Sequence, residues 1–207
     1  MSYLILGITG KATAGKDTFY NLLTKQLPEY NLCRVSIGDT IRQNLSMLPI
    51  FSHVNLFNLP PFEKETIRPL MVEYARLVRL MHGSRFFLDE FDTRINYTLS
   101  KSKNNPNPDK PLIICVTDIR FDDYEGDEAD WIQKKHKGKL IFIDRHNVVY
   151  GNKQYLPYVN DTEKGQIPKL RARADQIVDW PTTPSLNNLE TYVNPIADRI
   201  RQNWFPV

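Results

Sequence analysis

The sequence predicts an α/β fold with a mainly parallel central sheet, and three observations predict it. Short continuous apolar runs, Tyr3–Ile8 and Leu112–Thr117 above all, have the character of strands covered on both faces. They alternate with longer segments whose apolar residues recur at helical spacing. The first run leads directly into Gly10-Lys11-Ala12-Thr13-Ala14-Gly15-Lys16-Asp17-Thr18, a glycine-bounded turn between a strand and a helix.

The elements follow in order. Tyr3–Ile8 is the first strand. Asp17–Leu27 reads as a helix, with Phe19, Leu22, Leu23 and Leu27 on one face and Pro28 as its stop. Cys33–Ile37 is a short strand, and Asp39 opens a helix carrying Ile41, Leu45 and Leu48. Pro49–Pro61 reads as irregular. Pro69 is placed in the first turn of a helix with a core stripe of Leu70, Tyr74, Leu77, Val78 and Met81, stopped by Gly83. A further helix carries Leu88, Phe91, Ile95 and Leu99. Lys101–Pro111, rich in Lys, Asn and Pro, reads as an exposed loop. After the strand Leu112–Thr117 come a helix at Asp127–Lys137, ended by Gly138, and a strand at Lys139–Ile143. Gln176–Val178 is a short last strand. Ser185–Trp204 is a last helix with Leu186, Leu189, Val193, Ile196 and Ile200 facing the core. Arg145–Asp175 is polar, rich in Tyr and Arg, and offers few apolar anchors. A segment of that kind is expected to move until a ligand holds it.

Composition narrows the class of function. At 207 residues the chain suits a single domain with a full core. A hydrophobic content of 41% and a charged content of 25% are ordinary for a globular protein. The net charge of +3 is too weak to argue for nucleic-acid binding, but it suits a protein that handles small polyanions. The basic run Lys134-Lys135-His136-Lys137 reads as a solvated helix end. No guanine-reading N-K-x-D element is present, which argues against a GTP switch. No apolar stretch is long enough to span a bilayer, and no basic region precedes the first apolar run, so neither a membrane span nor a secretory signal is expected. Cys33 and Cys115 are read as buried free thiols, which fits a reducing, cytoplasmic setting. His53, His82, His136 and His146 show no metal-ligand spacing.

Four groups of residues carry chemistry. In the first, Gly10, Gly15 and Lys16 meet the phosphate-loop pattern G-x-x-x-x-G-K. The backbone of Ala12, Thr13, Ala14 and Gly15 would wrap an anion, the following helix would point its positive end at it, and Lys16 would add a full charge. Asp17 stands where Ser or Thr is usual, with Thr18 one later. Either Asp17 ligates Mg²⁺ directly, or it caps the helix while Thr18 reaches the metal. The second group is Thr117-Asp118-Ile119-Arg120-Phe121 at a strand end, where Asp118 could reach the metal and Arg120 could pair with phosphate oxygens. The third is Arg171 and Arg173, read as arginines of a lid over about 145–175 that closes over nucleotide. The fourth is Ser36, Asp39, Arg42, Arg79 and Arg85, read as an acceptor-binding group in a helical region over about 36–104.

Taken together, Gly10–Thr18 with its G-K-D-T ending, the Ser36…Asp39 turn, and Thr117-Asp118-Ile119-Arg120-Phe121 followed by Asp127-Glu128-Ala129-Asp130-Trp131-Ile132 resemble the deoxynucleoside monophosphate kinases of tailed bacteriophages. The ending Ala174-Asp175-Gln176-Ile177-Val178-Asp179 is similar as well. The chain departs from the family's T-D-V-R-F-x-N-E-A pattern in having Ile119 for Val and additional residues at Asp123–Gly126. Glu125 and Glu128 both compete for the family's acidic position, and Glu128 is favoured because the match resumes there.

The resemblance implies a three-layer P-loop NTPase fold with a lid insertion, and ATP with Mg²⁺ as donor. It implies a deoxynucleoside 5′-monophosphate as acceptor. By it, Lys16, Asp17 and Thr18 handle donor phosphates and metal, Asp118 adds a metal ligand, and Asp118 and Arg120 sit at the reaction centre. Glu128 belongs to the acceptor site, and Arg171 and Arg173 are lid arginines. A small-molecule partner is implied, with neither nucleic acid nor membrane, in a host cytoplasm, and a homodimer is left open. The related alternatives are kinases of the dephospho-coenzyme A or phosphomevalonate type and, from another class, a non-catalytic nucleotide-binding switch.

Overall fold

The computed structural model describes residues 3–102, 110–120, 126–182 and 187–205. Phe121, Glu125 and Leu186, each singled out in the sequence, lie outside the described residues, as does most of the Lys101–Pro111 patch. Six strands are described: β1 (Tyr3–Gly10), β2 (Asn31–Val35), β3 (Leu112–Ile119), β4 (Lys139–Val149), β5 (Asn152–Tyr155) and β6 (Gln176–Pro181). The helices are α1 (Lys16–Gln26), α2 (Ile37–Ser46), α3 (Pro61–His82), α4 (Phe86–Ser102), α5 (Glu128–Asp130), α6 (Asp161–Arg173) and α7 (Asn187–Arg199). The sheet runs in the order β2-β3-β1-β4-β5, with β6 also on β4. β1 is parallel to both β3 and β4, and β4 is parallel to β6, while β5 turns back antiparallel on β4. The class is α/β with a mixed sheet that is mainly parallel, as the alternating pattern predicts.

Two compact units divide the chain: residues 1–34 with 98–207, and residues 35–97. In the larger unit β1 sits at the centre, and alternation sorts its side chains onto two faces. Leu4, Leu6 and Ile8 join Ile113, Cys115, Ile141, Ile143, Val178 and Trp180 in a core closed by Leu22 and Leu23 of α1 and by Val193 and Ile196 of α7. On the other face Gly7 lies against Ile132, and Ile167 and Leu170 of α6 are buried. The helices therefore form a layer on each side of the sheet.

Several elements differ from the expectation, each for a local reason. β4 continues to Val149 rather than stopping at Ile143, because the β5 strand and β6 pair with its polar second half. The helix expected at Asp127–Lys137 is one α turn, capped by the Asp127 carboxylate on the Asp130 N–H, followed by a wider π turn over Trp131–Lys135. Arg145–Asp175 holds a strand end, β5 and α6, and α6 finds its apolar anchors in Ile167 and Leu170. α7 passes into a π turn at Ile200–Trp204.

In the smaller unit α2 starts at Ile37, capped by Ser36, and Leu48 lies beyond its end and is exposed. Pro49–Phe51 forms a single 3₁₀ turn. α3 starts at Pro61, not at Pro69, because Pro61 already supplies the preset φ and the dispensable N–H of a first turn. Pro69 is thus inside the helix. The core stripe predicted for α3 holds only in part: Val78 is buried, with Ala75 beside it, and Tyr74 is half-buried, whereas Leu70, Leu77 and Met81 are exposed. Helical spacing marks an apolar face, but burial also needs elements to cover it. Leu88, Phe91 and Ile95 of α4 are buried as expected, while Leu99 is half-buried. Cys115 is buried and Cys33 partly exposed, both as free thiols.

A charge network holds the edge of the larger unit. Arg173 at the end of α6 reaches Asp130 at 2.7 Å, and Lys134 reaches the same carboxylate at 2.8 Å. Asp175 accepts the Leu140 N–H of β4 and a bond from Gln133. The Lys134 bond, and after it the Arg173 bond, hold the Asp130 carboxyl at about 2, below its ordinary 3.8. A depressed folded-state value gives stability that is complete above the unfolded pKa and is lost as pH falls through the folded one. An Asp130→Asn variant should therefore be less stable than the parent at neutral pH. In urea titrations the gap should close between about pH 4 and pH 2.

Candidate functional site

The site is built at the carboxyl end of β1, where an α/β sheet opens a crevice for ligands. Gly10, the last residue of β1, has φ 142°, and a Cβ there would stand 2.4 Å from the Ile143 carbonyl oxygen of β4. Gly15 has φ 93°, and a Cβ there would stand 2.8 Å from the Trp180 ring. Between them Thr13 is left-handed at φ 61°, and the Ala14 N–H closes a turn onto the Lys11 carbonyl at 3.1 Å. Trp180 supports the turn from below: its indole N–H donates to the Ala14 carbonyl at 3.0 Å, and its ring packs edge-on against Phe19 of α1.

α1 starts at Lys16 with no side chain capping it. Its first amides have no acceptor within the helix and face the turn. A cradle of amides at a positive helix end can hold an anion, although the Ala12 and Ala14 amides here are taken by Glu163 and the Lys11 carbonyl. The Lys16 ammonium is folded into it and donates to the Gly10 and Lys11 carbonyls, each at 3.0 Å. Burial holds Lys16 below the ordinary lysine range. Asp118 opposes that shift, Arg120 adds to it, and Glu163 and Asp17 oppose it. These four side chains converge on one ammonium from β3, the residue after β3, α6 and α1.

The structure brings Asp118 and Arg120 to this place. The Thr9 hydroxyl donates to the Ile119 carbonyl at 2.7 Å and ties the ends of β1 and β3 together, just past an irregularity in their register. Asp118, at the end of β3, lies 3.7 Å from the Arg120 guanidinium. Glu128 is buried, and its carboxylate accepts the Arg120 backbone N–H at 2.5 Å. It thereby fixes the chain that carries Arg120. Asp17 is exposed and pairs at 3.1 Å with Arg34 of β2, whose same nitrogen donates to Thr117 at 3.2 Å.

Other predicted residues have partners of their own. Arg171 pairs with Asp144, midway along β4, at 2.9 Å. Arg173 turns to α5. Two residues apart on a helix cannot share a face, so α6 separates the pair that the sequence set side by side. In the smaller unit Ser36 caps α2, Arg42 pairs with Asp39 at 2.6 Å, Arg79 lies over the Phe87 ring at 5.0 Å, and Arg85 lies 4.0 Å from Asp89.

Sequence reasoning missed Glu163, Trp180 and Arg34, and named Arg145 only in passing. Arg145 donates to the Thr13 carbonyl at 3.0 Å, and the Ala12 N–H donates to Glu163 at 2.6 Å. No local pattern marks these residues, since their partners lie far away in the chain. Among the described residues no set of three or more His, Cys, Asp or Glu could hold a metal by itself. Thr18 and Asp118 fit Mg²⁺ as hard oxygen donors, provided phosphate oxygens complete its shell. Asp17 is already engaged by Arg34.

Two outcomes follow from this geometry. Gly15→Ala should destabilise the fold by about 1–2 kcal/mol for the left-handed backbone alone, before the Trp180 clash is added. Urea denaturation measures it. An anion bound in the cradle should raise the Lys16 pKa again, so polyphosphate binding at alkaline pH should take up protons. Calorimetry in two buffers of different protonation enthalpy reads this uptake, and Lys16→Met should abolish it.

No protein-family model matches the chain. No curated protein matches its sequence. Solved structures do match in chain path. One is the crystal structure of shikimate kinase from Aquifex aeolicus vf5, with 10% identity and a TM-score of 0.44, covering 97% of this chain and 99% of that one. Another is a gluconokinase from Sinorhizobium meliloti 1021, with 12% identity and a TM-score of 0.41, covering 97% of this chain and 94% of that one. Among the described residues no helix is long and apolar enough to cross a membrane.

Proposed function

We propose that the chain is an ATP-dependent kinase that transfers the γ-phosphoryl group to a deoxynucleoside 5′-monophosphate, giving the diphosphate and ADP. The observation that carries the reading is the amide cradle with Lys16 folded into it, beside Asp118 and Arg120. A half-buried ammonium satisfied by carbonyls of its own turn suits a polyanion that replaces them. The choice of a nucleoside monophosphate as acceptor rests on the resemblance of Gly10–Thr18 and Thr117–Arg120 to the phage enzymes.

The chemistry asked of the protein is position and charge. The Ala12 and Ala14 amides are held within the protein by Glu163 and Lys11, so the amides of Gly15 and of the first turn of α1 hold the donor phosphates, and Lys16 follows the moving phosphoryl group. Arg120, fixed through its backbone by Glu128, supplies positive charge as the in-line transfer proceeds. Thr18 and Asp118 would hold Mg²⁺, which supplies charge neutralisation on the phosphates when bound. A phosphate acceptor is already ionised, so no strong base is needed. Arg171, its charge balanced by Asp144 midway along β4, serves as the lid arginine of this reading; Arg173 serves the fold.

The test is ADP release with ATP and Mg²⁺ against deoxynucleoside and ribonucleoside monophosphates, dephospho-coenzyme A and phosphomevalonate. Turnover with deoxynucleoside monophosphates is expected, and turnover with only one of the other acceptors would replace the assignment. Lys16→Ala should abolish transfer while circular dichroism stays unchanged. Arg120→Ala should lower kcat by about 10³ or more, the scale of removing a transition-state arginine. If Arg120→Ala altered only the melting temperature, the residue would be structural.

A further inference from the structure

The entry limb of the phosphate loop, Lys11–Thr13, is gripped from one stretch of chain at three points. The Lys11 ammonium donates to the Leu156 carbonyl and lies 4.5 Å from the Tyr158 ring centre. The Ala12 N–H donates to the Glu163 carboxylate at 2.6 Å, and the Thr13 carbonyl accepts from Arg145 at 3.0 Å. The middle contact differs from the other two. Lys11 and Arg145 are long side chains that are only partly buried, whereas Glu163 is buried at 9% exposure.

Glu163 is also fixed from its own side. It is the third residue of α6, and its N–H donates to the capping Asn160 side chain at 2.8 Å. Its second carboxylate oxygen accepts the Val159 N–H at 2.9 Å. α6 is anchored in the sheet core by Ile167 and Leu170. The carboxylate thus stands in place independently of the loop. A short bond from an amide to a charged acceptor is among the stronger hydrogen bonds a protein forms.

We propose that Glu163 is a positioning residue of the phosphate loop. Its carboxylate, held out by α6, fixes the Ala12 amide and presets the limb that leads to the anion-facing amides and Lys16. The consequence for nucleotide binding rests on the kinase reading given above; the hold on Ala12 does not.

The experiment has two readouts on the full chain. Amide NMR without nucleotide reads the Ala12 N–H, which should be shifted downfield and protected from exchange in the parent. Glu163→Gln leaves one oxygen acceptor for two amides, and Glu163→Ala leaves none. Both should lose the downfield shift and the protection, and both should weaken ATP binding about tenfold or more, the scale of a charge-assisted hydrogen bond. Asp130→Asn is the control for a merely structural role: it should lower the melting temperature through the lost Lys134 and Arg173 bonds, yet leave the Ala12 amide and ATP affinity unchanged. If Glu163→Ala fails to fold, Glu163→Gln decides. An unchanged Ala12 amide in Glu163→Gln, or an equal loss of ATP affinity in Asp130→Asn, would overturn the proposal. A parent protein that binds no ATP but shows the Ala12 signature and its loss in Glu163→Gln would sink the kinase reading and leave this one standing.

Discussion

The site depends on one close approach, the end of β1 against the carbonyl of Ile143. Gly10 fits there because it has no side chain, and the same backbone turn starts the cradle. If β1 stood farther from β4 at this point, the loop would lose the floor that Trp180 and Ile143 make for it. The parallel pairing of β4 with β1 and β6 brings both residues under the loop. A short turn is thereby held by elements far away in the chain.

Charge divides the larger unit into two regions with different work. Around Lys16, charges of both signs meet a buried ammonium, so the balance there is open to change by an incoming anion. Around Asp130 the charges are matched: Lys134 and Arg173 share one carboxylate, and Asp175 joins β4 to the end of α6. The two arginines of α6 take different partners, Arg171 pairing with Asp144 and Arg173 with Asp130.

Much of the candidate site is legible in the amino-acid sequence. Gly10, Gly15 and Lys16 announce themselves because their spacing answers a backbone requirement that few turns share. Asp118 and Arg120 are legible because an acidic residue at the end of a buried strand has little reason to be there except for chemistry or capping. The surface stripe of α3 shows the converse. Leu70, Leu77 and Met81 have helical spacing, but spacing carries no information about which neighbour covers a face. Likewise Pro69 reads as a helix start, and only the earlier start at Pro61 places it inside one.

What the sequence determined by itself is local: strand and helix alternation, the loop that needs two glycines, and the lysine at its end. These follow from periodicity and backbone sterics, which act over a few residues. The tertiary structure decided the rest. It set Glu163 on Ala12, Arg145 on Thr13 and Trp180 under Gly15, and it turned Arg171 and Arg173 to different partners. Most of those pairings join residues far apart in the chain. Hydrogen-bond partners at that separation are chosen by how the sheet is ordered and how the helices pack on it, and neither quantity is written in any short stretch of sequence.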